Sequence, residues 1–181
     1  MIRGNSVLLR APEPEDLENI HRWGNDSEVS QFMGRDRPSS CAQVRDRLEG
    51  HDDPTRRLPL CIDTLQGVHI GTCALGGIDA VNRSAGLGIM IGEKQFWGKG
   101  YGTDATLALC GFGFGQMNLH RIQLYVYTFN RRAIRSYEKC GFAHEGLHRQ
   151  VIYKLGKYQD VAIMGLLSDE FSHAWPEGYP G

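Results

Sequence analysis

The segment Gln95-Phe96-Trp97-Gly98-Lys99-Gly100-Tyr101-Gly102-Thr103 constrains this chain more than any other. Ahead of it lies Ala85 to Ile91, where Leu87, Ile89 and Ile91 alternate as they do on one face of a strand. Behind it, Tyr101 to Gly115 places Ala105, Ala108, Leu109 and Phe112 on one face of a helix. The segment is therefore a tight strand-to-helix turn. Glycine lets such a turn adopt positive φ and approach a ligand closely. The first amides of a helix have no internal partner, and the helix dipole favours an anion in front of them. A pyrophosphate suits that position. A lone Gly-x-Gly also marks plain turns, so the segment needs context. A P-loop fits badly, because it needs Lys and then Ser or Thr after its last glycine, whereas Tyr101 follows Gly100. A dinucleotide-binding loop is wider and opens a parallel unit, whereas this turn follows several strands.

The rest of the chain supplies those strands. Its 181 residues favour a single domain, 1–181, long enough to bury a core without disulfides or metals. Val7 to Arg10 reads as a first strand, and a helix follows with Leu17, Ile20 and Trp23 on one face. Ser27 to Ser40 reads as irregular and polar, and Cys41 to Leu48 as a second helix. Leu58 to Thr64 and Val68 to Leu75 are further strands, as is Arg121 to Tyr127. Asn130 caps another helix that Gly141 stops, with Ala133, Ile134, Tyr137 and Cys140 facing inward. Val151 to Tyr153 and Val161 to Leu167 flank a turn at Leu155-Gly156, and the tail from about Ser172 is expected to fray. Helices mixed with hairpin-linked strands imply an α/β sheet that is not wholly parallel.

Composition narrows the partners. Formal net charge is −1, so no global field draws in nucleic acid or an anionic membrane. No charged-then-apolar leader opens the sequence, and no apolar run approaches membrane-spanning length. Cys41, Cys61, Cys73, Cys110 and Cys140 are odd in number and never spaced Cys-x-x-Cys, which argues against a disulfide framework and against a metal site. Reduced core thiols and a cytoplasmic location follow as expectations.

Context then makes the turn specific. Gln95-x-x-Gly98-x-Gly100 matches the acyl-CoA signature of the GNAT superfamily: Gln or Arg, two residues, Gly, one residue, Gly or Ala. The stretches GIMIGEKQFWGKGYGTDA, LHRIQLYVYTFNRRAIRSYEKCGF, EGLHR and GKYQDVAIMGLL resemble, in order, the branch with ribosomal-protein N-terminal and spermidine acetyltransferases. The resemblance spans about Leu8 to Leu167. It implies a mixed, mostly antiparallel central sheet with splayed central strands flanked by helices. It also implies acetyl-CoA as the cofactor, with CoA as product. The pantetheine arm would lie along the backbone near Met90 and Ile91. Gln95 opens the signature, and the amides of Gly98, Lys99, Gly100, Tyr101, Gly102 and Thr103 would hold the pyrophosphate. Asn130 and Ala133 match positions that face the arm. Arg131, Arg132 and Arg135 form either a solvated face or a contact for the 3′-phosphate. A homodimer is compatible with the resemblance.

The chemistry implied is attack of a primary amine on the thioester in a ternary complex, and the acceptor is either a small amine or polyamine or a protein N-terminus. An amine of pKa about 10.4 is mostly protonated near neutrality, so the enzyme must select the neutral form or remove a proton. Tyr137 matches the family's N-x-x-A-x-x-x-Y pattern and is the expected acid for the leaving thiolate. Glu93, just after the strand that lines the cleft, is the nominal base. The amine pocket would come from the first two helices and the loop from Gln31 to Asp36, with Glu28 and Asp36 as acidic groups able to attract a polyamine. The alternative from another class is a non-catalytic acyl-CoA-binding sensor.

Overall fold

The computed structural model describes residues 1–34, 37–49, 54–175 and 179. The described residues form one open sheet of eight strands: β1 (Ile2–Arg3), β2 (Val7–Arg10), β3 (Arg57–Thr64), β4 (His69–Asp79), β5 (Ser84–Ile91), β6 (Arg121–Tyr127), β7 (Ala143–Lys154) and β8 (Lys157–Leu167). Their order is β1-β2-β3-β4-β5-β6-β8-β7. All neighbours pair antiparallel except β5 and β6, which are parallel. The helices are α1 (Leu17–Asn25), α2 (Ser27–Ser30), α3 (Cys41–Glu49), α4 (Tyr101–Gly115), α5 (Arg131–Lys139) and α6 (Ser168–Ala174).

Alternation along the strands assigns each face its own core. Leu60, Ile62, Leu75 and Leu87 turn towards α4, whose residues Ala105 to Cys110 are all buried. A helix buried all round needs cover on several sides, and here α5 and Phe171 of α6 supply it with the sheet. Cys61 and Met90 point the other way, into a second cluster with Ile20 and Trp23 of α1, Val29 of α2 and Val44 of α3. The sheet is thus sandwiched, and β5 contributes to both layers.

Two buried polar knots hold the sheet's first strands. The Asp104 carboxylate, in the first turn of α4, accepts from the amides of Asn5 at 3.0 Å, Ser6 at 2.6 Å and Val7 at 3.0 Å, from Ser6 Oγ at 2.7 Å, and from the Tyr179 hydroxyl. Burial pushes its pKa up, but these donors outweigh that and leave it lowered. On the other face, Arg10 forks onto Asp16 through two bonds of 2.7 Å and reaches Asp63 at 2.6 Å. His69 Nδ1 lies 3.1 Å from Asp16, and the His69 ring packs edge-on against Trp23. Burial raises the Asp16 pKa, yet Arg10, the Glu13 amide and His69 together hold it far below the usual carboxylate range.

Some boundaries differ from the sequence expectation. Ser27 to Ser30 is a helical turn rather than irregular chain, because the Asp26 side chain caps it by accepting from the Glu28 amide at 2.9 Å. β7 begins at Ala143, well before Val151; its residues from Ala143 to Val151 are exposed on both faces, so no hydrophobic alternation announces an edge strand. The chain stays helical past Ser172 to Ala174, and Trp175 and Tyr179 pack on the core.

Candidate active site

The parallel pair β5–β6 opens partway along. It is joined at Ser84–Arg121, Ala85–Ile122 and Gly86–Gln123 only. Beyond that point Leu87 to Ile91 pair with β4 alone, and Leu124 to Tyr127 with β8 alone. Alternate backbone amides and carbonyls on each strand therefore face a gap. The gap is a cleft of about 590 Å³. This is the splay implied by the resemblance.

The glycine turn closes one end of the cleft. Gly98 has φ 73° and Gly100 φ 90°, a region that L side chains rarely adopt. A Cβ placed on either would meet nothing within 4 Å, so open space lies in front of the turn. The first bond of α4 runs from the Asp104 amide to Gly100 O at 3.0 Å. The amides of Tyr101, Gly102 and Thr103 precede it and remain free for a ligand. The Trp97 indole donates to Ile91 O at 2.7 Å and pins the turn to β5. Arg132 lies over the Trp97 ring at 4.0 Å and the Phe32 ring at 5.7 Å, a cationic wall between turn and α5.

Of the residues singled out from sequence, Met90, Ile91, Gly98, Gly100, Gly102, Thr103, Asn130, Ala133 and Tyr137 line this cleft. Asn130 caps α5 by accepting from the Ala133 amide at 3.2 Å. Tyr137 is buried, packs edge-on against Phe142, and its hydroxyl makes no hydrogen bond among the described residues. Burial pushes its pKa above the ordinary phenol value. Gln95, Lys99 and Tyr101 are not among the lining side chains: Tyr101 packs edge-on against Phe96, and Lys99 lies over the same ring.

Glu93 is also outside the lining. Its carboxylate accepts from the Arg22 guanidinium and, at 3.0 Å, from the Trp23 indole. The Arg22 bond, against some burial, holds its pKa below the usual value. A carboxylate so engaged is a weak base, held away from the gap by the α1 side chains it ties down. Glu28 is exposed and pairs with Lys94. Asp36 lies outside the described residues.

The sequence reading missed Ser136, whereas the Gln31 to Asp36 loop it named carries Phe32 and Met33. Ser136 lines the cleft and shares a 2.8 Å hydrogen bond with Thr103, joining α5 to α4. Phe32 and Met33 enter from the segment after α2. That segment is clamped from β7: Lys154 Nζ donates to the carbonyls of Ser30 at 3.3 Å, Gln31 at 3.2 Å and Met33 at 2.5 Å. Nothing local in the sequence signals a contact between residues this far apart. Behind β5, under α1 and α3, lies a second chamber of about 210 Å³. It shares Met33, Gly88, Ile89 and Met90 with the cleft, so the two spaces meet at the splayed strand.

Known proteins carry the same architecture. Residues 6–143 match the model of the acetyltransferase (GNAT) domain. The uncharacterized N-acetyltransferase p20 of Bacillus licheniformis is 30% identical over 171 residues, covering 92% of this chain and 95% of the relative. The spermidine N(1)-acetyltransferase of Vibrio cholerae is 28% identical over 167 residues, covering 92% of this chain and 96% of its own. The crystal structure of the Vibrio cholerae enzyme with CoA and spermine superposes with a TM-score of 0.86 at 28% identity, covering 92% of this chain and 98% of that one. The chain belongs to the GNAT acetyltransferase family, and it is an acetyl-CoA-dependent N-acetyltransferase acting on an amine.

Proposed function

We propose that the splay between β5 and β6 seats the thioester and that the amine reaches it from the α1–α3 side, for direct transfer in a ternary complex. The observation that carries this reading is the cradle itself: an unpaired strand edge, two positive-φ glycines facing open space, and free amides at the start of α4. Acetyl-CoA fits that set, since its pyrophosphate needs donors and its arm needs an unpaired backbone edge. Arg132, Arg135 and Lys139 give the cleft a cationic side for its phosphates. When bound, the cofactor supplies an activated acetyl group.

The chain's own residues supply the rest. Free amides of β5 are donors for the carbonyl oxygen as it gains charge. Tyr137 stays protonated at neutral pH and gives its proton to the departing thiolate, while the amine loses its proton to water. Among the described residues, neither the cleft nor the chamber behind it is lined by a carboxylate or an imidazole. The amine therefore enters neutral, and we assign Glu93 to holding α1 rather than to proton removal. Gln95, Lys99 and Tyr101 act through the backbone and packing of the turn.

We read residues 1–181 as one acetyltransferase domain, supported by the single sheet that runs through it. The five free thiols, four of them buried, support a reducing, cytoplasmic setting. Among the described residues no helix is long and apolar enough to cross a membrane. A homodimer is supported by the apolar side chains exposed on the β7–β8 hairpin, among them Leu147, Val151 and Tyr153; light scattering on the pure protein tests it. For the central reading, CoA at 100 times its dissociation constant is expected to add about 2.7 kcal/mol and raise Tm by roughly 5–11 °C. A shift with NAD or ATP and none with CoA overturns it.

A further inference from the structure

The chamber behind β5 differs from the cleft in one respect that bears on the acceptor. Its walls are apolar, with Ile20, Val44, Leu48 and Leu60, and its charged lining residues are Arg47 and Arg57. Arg47 is oriented by its own helix, since Nε donates to Gln43 O at 3.0 Å. Among the described residues its Nη2 is buried with no hydrogen-bond partner. Arg57 sits beside it, donating to Arg47 O at 3.2 Å. Burial, and then the charge of Arg57, lower the Arg47 pKa, as befits a guanidinium with little to offset it.

A buried guanidinium nitrogen without a partner is uncommon and marks a place where an acceptor oxygen belongs. Guanidinium forks match carboxylate and phosphate. A polyamine is the wrong visitor: a further ammonium would approach the Arg47 guanidinium, and no lining carboxylate among the described residues receives it. Glu28 and Glu93 are themselves engaged, Glu28 with Lys94 and Glu93 with Arg22 and Trp23.

We propose that this chamber takes a small amine that also carries a carboxylate or phosphate, with the Arg47 guanidinium holding the anionic group and the amine directed through the splay at Met90. This rests on the acetyl-transfer reading and narrows it. It separates this chain from its spermidine-acetylating relative in substrate class despite the shared fold.

The test measures thiol release from acetyl-CoA with wild type and Arg47→Ala. The amines are amino acids and their uncharged amides, 2-aminoethyl phosphate beside ethanolamine, and spermidine. The wild type is expected to turn over anion-bearing amines ahead of spermidine. Arg47→Ala should lower the ratio of kcat/KM for the acid to that for its amide by about 100-fold, chiefly through KM. Taking a ratio of ratios cancels the different basicity of the two amines. Arg47→Lys should retain part of the preference, and the relative activity of the carboxylate and phosphate arms identifies the anion. Wild-type preference for spermidine, or an unchanged acid-to-amide ratio in Arg47→Ala, overturns the proposal while leaving acetyl transfer intact. Should Arg47→Ala fail to fold, the wild-type ranking alone decides. Thiol release with none of these amines overturns the proposal; acetyl transfer itself falls only if N-terminal peptides also release no thiol.

Discussion

The two faces of the splayed strand β5 are built on different principles. The α4 face, the proposed donor cradle, has a turn set by two left-handed glycines, a helix start with free amides, and a hydroxyl pair, Thr103 and Ser136, joining the two helices that flank the gap. Its turn and helix start lie in one short stretch, Gly98 to Thr103. The α1–α3 face is assembled from distant pieces, with the segment after α2 clamped by Lys154 from β7 and Arg47 brought in by α3. The difference teaches that the proposed donor site can be read from a local motif, whereas the proposed acceptor site depends on tertiary placement.

Four substitutions break or sharpen that contrast. Tyr137→Phe should keep acetyl-CoA affinity and fold while lowering turnover by roughly 10²–10⁴-fold, because the ring stays and only the proton donor goes. Single-turnover kinetics checks it, and an unchanged chemical step removes Tyr137 from the mechanism. Asp16→Asn acts on stability instead. It leaves Arg10 with half its buried partners and should cost about 3 kcal/mol, some 6–12 °C in Tm.

The sign of the pH effect follows from the same residue. The Asp16 pKa is depressed in the folded state, so its contribution is complete above the ordinary carboxylate pKa and is lost as pH falls towards the depressed one. Wild type should therefore lose stability on acidification below about pH 4 more steeply than Asp16→Asn, as acid titration by circular dichroism would show. Equal slopes would assign acid lability elsewhere.

Gly100→Val places a β-branched residue at φ 90° and fills the space before α4. CoA affinity should fall by about 30-fold or more with the core intact, as calorimetry can measure. Wild-type affinity would put the phosphates somewhere else. The smallest effect is expected for Glu93→Gln. Turnover should change by less than about threefold, because the amide still accepts from Arg22 and Trp23 and no proton passes through it. A loss of 10² or more would restore Glu93 as the base.

The same contrast explains what the sequence disclosed. The start of α4 at Tyr101 follows from the glycine turn, and the limits of β6, Arg121–Tyr127, from the alternation of Ile122, Leu124 and Val126. Asn130 as cap and Tyr137 on the inner face follow from helical spacing alone. The Arg10–Asp16–His69 knot and the Asp104 knot were not legible, because each joins residues that only the folded sheet makes neighbours. β7 escaped because an exposed edge strand has no buried face to pattern. Glu93 follows the cleft strand in sequence, but its carboxylate is engaged by Arg22, a contact across 71 positions.

Amide hydrogen exchange with and without CoA tests the central claim most directly. Protection is expected along Leu87–Ile91 and Gly98–Thr103, with β3 and the Arg47 helix unchanged until an acceptor is added. CoA-dependent protection confined to other strands, or none in the glycine turn, would contradict the account.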